Sequence, residues 1–287
     1  MKVEFFLLDA DYVIERDEAL VRLFGITEEG KTIASFFQYE PYFYVLSSDA
    51  QKAIEEIKAL VKKKNVKIKR IEKVKKVLKG ENKEFLKIFC NLPQDTQKIR
   101  DVVKYLERER GGSGSVIEEY EYTINFYRRF LLDKEIAGSC WVEVEGEPIQ
   151  SKLKCDIVLM GKKITMEEKK LTHPPLKLLS FDVETYEEKG KKQIIMLSFW
   201  ADNFKKAFTS YQGKFPSWVE VVENEKKILE KFVETVNYYN PDILLSYNGD
   251  GFDFLVIRER ARYHLSLIHI SEPTRPLYIS YAVFCLK

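Results

Sequence analysis

The segment Phe181–Thr185 has the residue types and spacing that a hydrolytic metal centre requires. Side chains of a strand alternate between its two faces, so Asp182 and Glu184 point the same way, roughly 7 Å apart. Two carboxylates on one face of a mostly apolar strand are costly unless a positive charge lies between them. A hard divalent cation provides that charge, and two such cations form a phosphodiester cleavage site. The alternative is a solvated strand end.

A second segment with carboxylates lies further along the chain. The sequence Asn240–Asp253 predicts a strand over Ile243–Tyr247, a glycine-containing loop and a helix that begins close to Asp253. Ligand sites gather at strand ends in α/β sheets, so Asp253 is expected to add a third carboxylate. The alternative for Asp253 is a helix cap, and Asp250 fits a turn better than a further ligand.

These two segments resemble motifs of a known family. Phe-Asp-x-Glu-Thr at Phe181–Thr185, followed by Ile194–Ser198, resembles the first exonuclease motif of archaeal family B DNA polymerases. Tyr247–Asp253 resembles the second, and the resemblance covers the chain from its first residues to about His264. It implies a 3′–5′ proofreading nuclease of ribonuclease H-like fold, within a DNA-directed DNA polymerase that acts in DNA replication.

The resemblance also implies catalytic roles for the three carboxylates. We expect Asp182 to bridge two Mg²⁺ or Mn²⁺ ions and Glu184 to support the ion that activates the attacking water. We expect Asp253 to help hold the second ion, which stabilises the leaving 3′ oxygen. The implied substrate is the unpaired 3′ end of a DNA strand.

Aromatic side chains near the motifs are candidates for stacking on unpaired bases. Phe252 is the preferred contact, whereas Tyr186, Phe199 and Trp200 fit core positions better. The expected DNA-binding residues are Tyr247, Asn248 and Phe252.

Two parts of the family pattern have no counterpart before His264. These are the third exonuclease motif, Tyr-x-x-x-Asp, and the polymerase palm. We therefore expect a fragment of a polymerase that cannot polymerise and is a weak or inert nuclease by itself. In the intact parent, dNTPs, the template strand and a sliding clamp are the expected partners. The alternatives are a stand-alone ribonuclease H-like nuclease and a non-catalytic DNA- or uracil-binding module.

The predicted fold class is α/β, with an α+β first domain and a truncated nuclease domain built on a mixed sheet. The nuclease domain is assigned to residues 176–264. Its predicted elements are strands Lys177–Glu184, Gln193–Trp200 and Lys205–Tyr211, helix Glu223–Tyr239, strand Ile243–Tyr247 and a final helix.

The first domain is assigned to residues 1–132 and a linking region with two strands to residues 133–175. Alternation and turn residues predict the strands of the first domain, and apolar residues at helical spacing predict its helices. The predicted elements are strands Val3–Leu8, Ala19–Phe24, Thr32–Gln38 and Tyr42–Leu46, and helices Ala50–Lys64 and Thr96–Arg110. The strands of the linking region are Trp141–Glu145 and Cys155–Met160.

The family resemblance implies a further site in the first domain, a pocket that captures uracil in the template strand. The matching positions are Tyr12, Pro41, Ile124, Phe126 and Arg129. Thr96 replaces an apolar residue of the family pattern, which puts uracil binding in question.

A basic run extends from Lys62 to Lys79 and is interrupted by only one acid, Glu72. Such a run binds phosphates by releasing counterions, or it forms the solvated face of a strand.

Composition adds limits. The 287 residues are 45% hydrophobic and 32% charged, which is typical of a globular protein, and a net charge of +2 gives no argument about nucleic acid. The four cysteines lack metal-site spacing, which indicates reduced thiols and a cytoplasmic location. Neither a signal peptide nor a run of transmembrane length is recognisable, so no membrane partner is expected. The segment 265–287 resembles a translated sequencing adapter and is excluded from the fold prediction.

Overall fold

A computed structural model describes residues 1–64, 66–109, 115–168, 170–188 and 190–264. The adapter-like segment 265–287 lies outside these described residues. The chain forms two compact units. Unit 1 comprises Met1–Gly25, Ile33–Ile149 and Val158–Lys170. Among the described residues, unit 2 comprises Ile26–Thr32, Gln150–Ile157 and the chain from Leu171 to His264.

The described residues form a mixed α/β structure, in agreement with the predicted class. The strands are β1 (Lys2–Glu15), β2 (Glu18–Ile26), β3 (Thr32–Gln38), β4 (Tyr42–Ser47), β5 (Ile68–Leu78), β6 (Glu81–Cys90), β7 (Val116–Tyr120), β8 (Trp141–Pro148), β9 (Ile157–Met166), β10 (Leu178–Glu188), β11 (Lys191–Ala201), β12 (Phe204–Thr209), β13 (Val219–Val221) and β14 (Ile243–Leu245). The helices are α1 (Ala50–Lys63), α2 (Pro93–Glu109), α3 (Phe126–Asp133), α4 (Glu225–Tyr239) and α5 (Asp253–Tyr263). None of these described helices is long and apolar enough to cross a membrane.

Unit 1 contains a closed five-stranded barrel in the order β1-β2-β3-β9-β8. Strand β8 closes the barrel by pairing antiparallel with β1, and Phe6 lies opposite Trp141. The two strands of the segment that we assigned as a linking region, β8 and β9, therefore belong to the barrel. Sequence pattern identified both strands but gave no indication of their distant partners, because strand pairing is decided by tertiary contacts.

The other sheet of unit 1 has the order β5-β6-β4-β7. Helices α1 and α2 pack on one face, where residues such as Ile57, Ile88 and Ile99 form a buried core. Helix α1 begins after Asp49, whose carboxylate accepts the Lys52 N–H. This cap and the apolar residues at helical spacing explain why the helix forms where the sequence predicts it.

The basic run becomes the end of α1 and the edge strand β5. Arg70 forms ion pairs with Glu40 and Glu72, and its guanidinium lies 3.5 Å from the centroid of the Phe89 ring. Lys76 lies over the Tyr44 ring at 3.9 Å. These cations cover aromatic rings on the sheet face opposite the helices. This position agrees with the interpretation that the basic run forms the solvated face of a strand. A role of the run in binding DNA stays a prediction.

Unit 2 is built on a five-stranded sheet in the order β13-β12-β11-β10-β14. Strands β10, β11 and β12 are successive antiparallel neighbours, whereas β14 lies parallel to β10 and β13 lies parallel to β12. Helices α4 and α5 contribute Phe232 and Phe254 to a core that includes Phe181 of β10. The Phe181 and Phe254 ring centroids are 4.9 Å apart. This packing fixes β10, the strand with the predicted catalytic acids, against both helices.

Candidate active site

Strand β10 presents Asp182 and Glu184 on the sheet face opposite the helices. The alternating residues Phe181 and Val183 are buried in the core, so the two acids must point away from it. Both acids are exposed. Neither carboxylate makes a hydrogen bond or ion pair with another described residue, so both are available to a ligand.

Asp253 is the first residue of α5 and is buried, with 3% of its surface exposed. Its Oδ1 accepts the Val183 N–H at 3.2 Å, and its Oδ2 accepts the Ser246 hydroxyl at 2.6 Å. Val183 lies between the two exposed acids, so Asp253 holds the backbone that carries them. The alternative prediction for Asp253, a helix cap, is wrong because Phe252 occupies the cap position.

Asp253 reaches Val183 because β14 is short. The parallel pairing of β14 with β10 ends at Leu245 and Ser180, which leaves the next part of the β10 edge without a strand neighbour on that side. The chain then turns through the loop that contains Gly249. A Cβ atom at Gly249 would lie 2.8 Å from the Phe254 ring, so only glycine permits this close approach.

A β-bulge in β11 lies opposite Glu184. The register pairs Glu184 with Met196 and Thr185 with Ile194, so Ile195 is an extra residue. The Ile195 carbonyl accepts hydrogen bonds from the Thr209 hydroxyl at 2.9 Å and from the Ser210 N–H at 3.2 Å. Bulges are frequent beside active sites, where they change the direction of a side chain.

The bulge is held from the core side by Glu225, the first residue of α4. Glu225 Oε1 accepts the Ile194 N–H at 2.7 Å. The Arg260 guanidinium donates to both carboxylate oxygens of Glu225, each at 2.7 Å, and His264 Nε2 lies 2.7 Å from Oε2. This one buried carboxylate therefore joins α4, the end of α5 and the bulge in β11.

The environment of Glu225 keeps it charged. Burial by itself would raise the pKa of the Glu225 carboxyl. Hydrogen bonds from Arg260, His264 and the Ile194 N–H outweigh that effect, so the pKa lies below its ordinary value. The carboxylate side chain is 3% exposed and that of Arg260 is 14% exposed. Such a pair is costly to break, because the remaining partner becomes an unpaired buried charge.

Metal binding by the predicted set of Asp182, Glu184 and Asp253 stays a prediction. No group of three or more His, Cys, Asp or Glu side chains that could hold a metal ion is present among the described residues. Asp182 and Glu184 do fit a hard divalent cation, because they are oxygen donors on one face without competing partners. Asp253 differs because both of its oxygens already accept hydrogen bonds.

The three residues predicted to bind DNA lie in different surroundings. Tyr247 is 93% exposed and Asn248 is also exposed. The Asn248 carbonyl accepts the N–H groups of Gly251 and Phe252, which makes the turn that leads into α5. Phe252 is half-buried against the core of unit 2, and Lys192 Nζ lies 5.1 Å from its ring centroid.

Two of the residues predicted to form a uracil pocket line cavities of unit 1. Pro41 lines an open cavity of about 1260 Å³ together with Asp95, the neighbour of Thr96. Ile124 lines a different cavity of about 490 Å³.

The side chains of the other three predicted pocket residues contact neighbouring side chains. The Tyr12 and Phe126 rings pack edge to face with their centroids 5.4 Å apart. Arg129 is buried, pairs with Glu121 at 2.6 Å and lies 5.1 Å from the Tyr42 ring centroid. Uracil binding by these positions stays a prediction.

Sequence reasoning missed two residues that position the exposed acids, Glu225 and Ser246. Glu225 follows Asn224, whose side chain accepts the Lys227 N–H and caps α4. An acid in a first helical turn is ordinarily explained by the helix dipole, so Glu225 gave no distinctive signal. Ser246 stands next to the second motif, but only the fold shows that its hydroxyl meets Asp253.

Unit 2 is a mixed α/β domain with two exposed acids on a central strand, and comparison with known proteins identifies the family of the chain. Residues 117–276 match the family described as DNA polymerase family B, exonuclease domain. The chain belongs to this family, which confirms the resemblance of the two motifs.

Individual relatives agree with this assignment. The chain is 33% identical over 262 residues to the DNA polymerase of Thermococcus sp. (strain GE8), covering 89% of this chain and 13% of that protein. It is 32% identical over 262 residues to the DNA polymerase of Thermococcus sp. (strain 9oN-7), covering 88% of this chain and 28% of that protein. The chain therefore spans less than a third of the length of either relative.

A solved structure gives the same result. The structure of the family B DNA polymerase from the hyperthermophilic archaeon Pyrobaculum calidifontis superimposes with a TM-score of 0.72 at 26% sequence identity. The superposition covers 91% of this chain and 32% of that one. The similarity thus includes nearly the whole of this chain but only part of the larger polymerase.

Proposed function

We propose that unit 2 is the 3′–5′ exonuclease part of a family B DNA polymerase and has a ribonuclease H-like arrangement. It would remove nucleotides from the unpaired 3′ end of a DNA strand. The observation that carries this proposal is the pair of exposed acids, Asp182 and Glu184, on a strand that is backed by the core. Both lie inside the region matched to the exonuclease domain.

Asp182 and Glu184 would hold divalent cations, Mg²⁺ or Mn²⁺, through their carboxylate oxygens. When bound, two such ions supply an activated water and stabilise the leaving 3′ oxygen. Asp253 holds the backbone between the two acids through Val183, and its predicted contact with the second ion is part of this proposal. Tyr247, Asn248 and Phe252 would contact the DNA strand.

The activities of a complete polymerase are also proposals for this chain. They include DNA synthesis from dNTPs, reading of the template strand by unit 1 and association with a sliding clamp. Their support is the family membership and the extended similarity to archaeal polymerases. None of them follows from the geometry of unit 2.

Replacement of Asp182 by Ala tests the nuclease proposal. We expect Asp182→Ala to weaken Mn²⁺ binding in calorimetric titration and to remove any Mg²⁺-dependent shortening of a 5′-labelled single-stranded oligonucleotide that the unaltered chain shows. Asp202→Ala is the matched control, because Asp202 is an exposed aspartate in the turn that follows β11. Unchanged Mn²⁺ binding or continued shortening by Asp182→Ala would contradict the assignment.

A non-catalytic DNA-binding module is the second candidate. The observation that favours it is the absence, from the described part of the chain, of a three-carboxylate group able to hold a metal. This candidate predicts DNA binding without metal-dependent degradation and without Mn²⁺ binding at Asp182. The calorimetric titration separates the two candidates even where no shortening of DNA is detected.

A further inference from the structure

A strip of two tryptophans and a lysine lies on the same sheet face as Asp182 and Glu184. Trp200 of β11 is opposite both Ser180 of β10 and Lys205 of β12. Lys205 Nζ lies 4.2 Å from the centroid of the Trp218 ring. Trp200, Lys205 and Trp218 are called the tryptophan strip below.

The face assignment follows from the neighbours of each residue. Phe199 and Ala201 are buried in the core, so Trp200 between them points away from it. Lys206 pairs with Glu220, which also pairs with Lys231 of α4, so Lys206 lies on the helix side. Lys205 must then lie on the side of the exposed acids.

The strip lies beside the acids and exposes large rings. Asp182 is opposite Ser198, two residues before Trp200 along β11. Two residues of a strand span about 7 Å. Trp200 is 58% exposed and Trp218 is 37% exposed. Exposed tryptophans are uncommon in ordinary surfaces, because their large apolar area is costly to leave in water.

We infer that the tryptophan strip binds the unpaired nucleic acid strand that leads to the acids. Unpaired bases stack on aromatic rings and the phosphates between them attract cations. Bases and phosphates alternate along a single strand, and the two tryptophan rings with Lys205 offer contacts for both. A duplex hides the faces of its bases within its stack, so the strip selects single strands. This inference rests on the proposed nuclease function, since it names how that site would hold its substrate.

Binding of a fluorescein-labelled (dT)12 to the full chain, followed by anisotropy in EDTA, tests the inference. Stacking contributes about 1–3 kcal/mol per base, so Trp200→Ala and Trp218→Ala should each weaken binding about 5- to 150-fold. Trp200→Phe keeps a ring and should retain most of the affinity. Lys205→Ala should lower the slope of log affinity against log salt by about 0.7, the value of one phosphate contact on a single strand.

Tyr238→Ala is the matched control, because Tyr238 is an 82% exposed aromatic residue on α4, on the other side of the sheet. It should bind (dT)12 like the unaltered chain. Intrinsic fluorescence adds a second measurement, since the chain has three tryptophans and Trp141 is buried in unit 1. (dT)12 should therefore quench mainly the emission of Trp200 and Trp218.

Unchanged affinity in both tryptophan-to-alanine variants would overturn the inference, as would equal competition by a 12-base-pair blunt duplex. Because EDTA removes divalent cations, this result is independent of the nuclease proposal. Suppose that the tryptophan-strip variants bind (dT)12 normally and Asp182→Ala loses Mn²⁺ binding. That result would support the nuclease proposal and contradict the role of the tryptophan strip. If instead the tryptophan-strip variants lose (dT)12 binding and Asp182→Ala binds Mn²⁺ unchanged, the role of the strip is supported and the nuclease proposal is contradicted.

Discussion

The buried carboxylate of Glu225 is predicted to control both the stability of unit 2 and the geometry of Glu184. Glu225→Gln retains the shape of the side chain but replaces a charged acceptor of four hydrogen bonds by an amide. The amide NH₂ would face donors of Arg260 or His264. Loss of one partner from a buried ion pair costs about 3–5 kcal/mol. Arg260 keeps some solvent exposure, so we expect a loss of about 3 kcal/mol in the free energy of unfolding.

The same substitution should loosen the bulge opposite Glu184, because the Ile194 N–H loses its charged acceptor. We expect faster amide hydrogen exchange at Ile194 and weaker Mn²⁺ binding by the exposed acids. Leu229→Ala is the matched control, since Leu229 is a buried core residue of the same helix. Truncation of a buried leucine costs about 2–5 kcal/mol, a similar loss of stability without any contact to the bulge.

Denaturant unfolding, hydrogen exchange and Mn²⁺ titration of both variants provide the assay. The reasoning is refuted if Glu225→Gln binds Mn²⁺ as the unaltered chain does, or if Leu229→Ala loses the same affinity. The pH dependence gives a further check of sign. The pKa of Glu225 is lowered in the folded chain, so its stabilisation is present above the ordinary value of 4.5 and is lost as pH falls through the folded value. The difference in unfolding free energy between the unaltered chain and the Glu225→Gln variant should therefore shrink only in that acidic range.

Two further predictions concern other positions. Burial raises the pKa of Asp9 from 3.8 to about 6. Ionisation of Asp9 therefore destabilises the folded chain as pH rises through that interval. We expect Asp9→Asn to increase the free energy of unfolding at pH 7 by up to about 3 kcal/mol. Guanidinium unfolding at pH 4 and pH 7 measures the change in unfolding free energy that Asp9→Asn causes. An equal change at both pH values would contradict the prediction. Gly249→Ala would place a Cβ 2.8 Å from the Phe254 ring and should cost about 1–3 kcal/mol. Gly213→Ala is the comparison, because a Cβ at Gly213 would lie 3.1 Å from the nearest atom, in the ring of Phe215. Thermal unfolding should show a larger loss of stability for Gly249→Ala than for Gly213→Ala.

Much of the local structure follows from the sequence alone. The strand Thr32–Gln38 has the predicted bounds, and α1 and α4 differ from prediction by one or two residues at their ends. These elements have strong periodicity and clear caps, so local chemistry decides them. Strands β6, β7 and β13 and helix α3 were not predicted. Strands β7 and β13 and helix α3 are short and carry little periodic signal, whereas β6 was missed despite its ten residues.

The exposed acids were also determined locally. A strand that alternates Phe, Asp, Val and Glu fixes Asp182 and Glu184 on the face away from the core, whatever the sheet order. Side-chain alternation has a period of two, so this part of the prediction needed no tertiary information.

Tertiary structure decided how those acids are held. Asp253 gives no local signal that it would accept the Val183 N–H, which is separated from it by seventy residues. Glu225 meets the bulge in β11 only because α4 and α5 pack on the same face of the sheet. Trp200, for which the sequence favoured a core position, is exposed because its neighbours Phe199 and Ala201 occupy the core. Local sequence sets which way a side chain points along its own strand, whereas the packing of distant elements decides what it meets there.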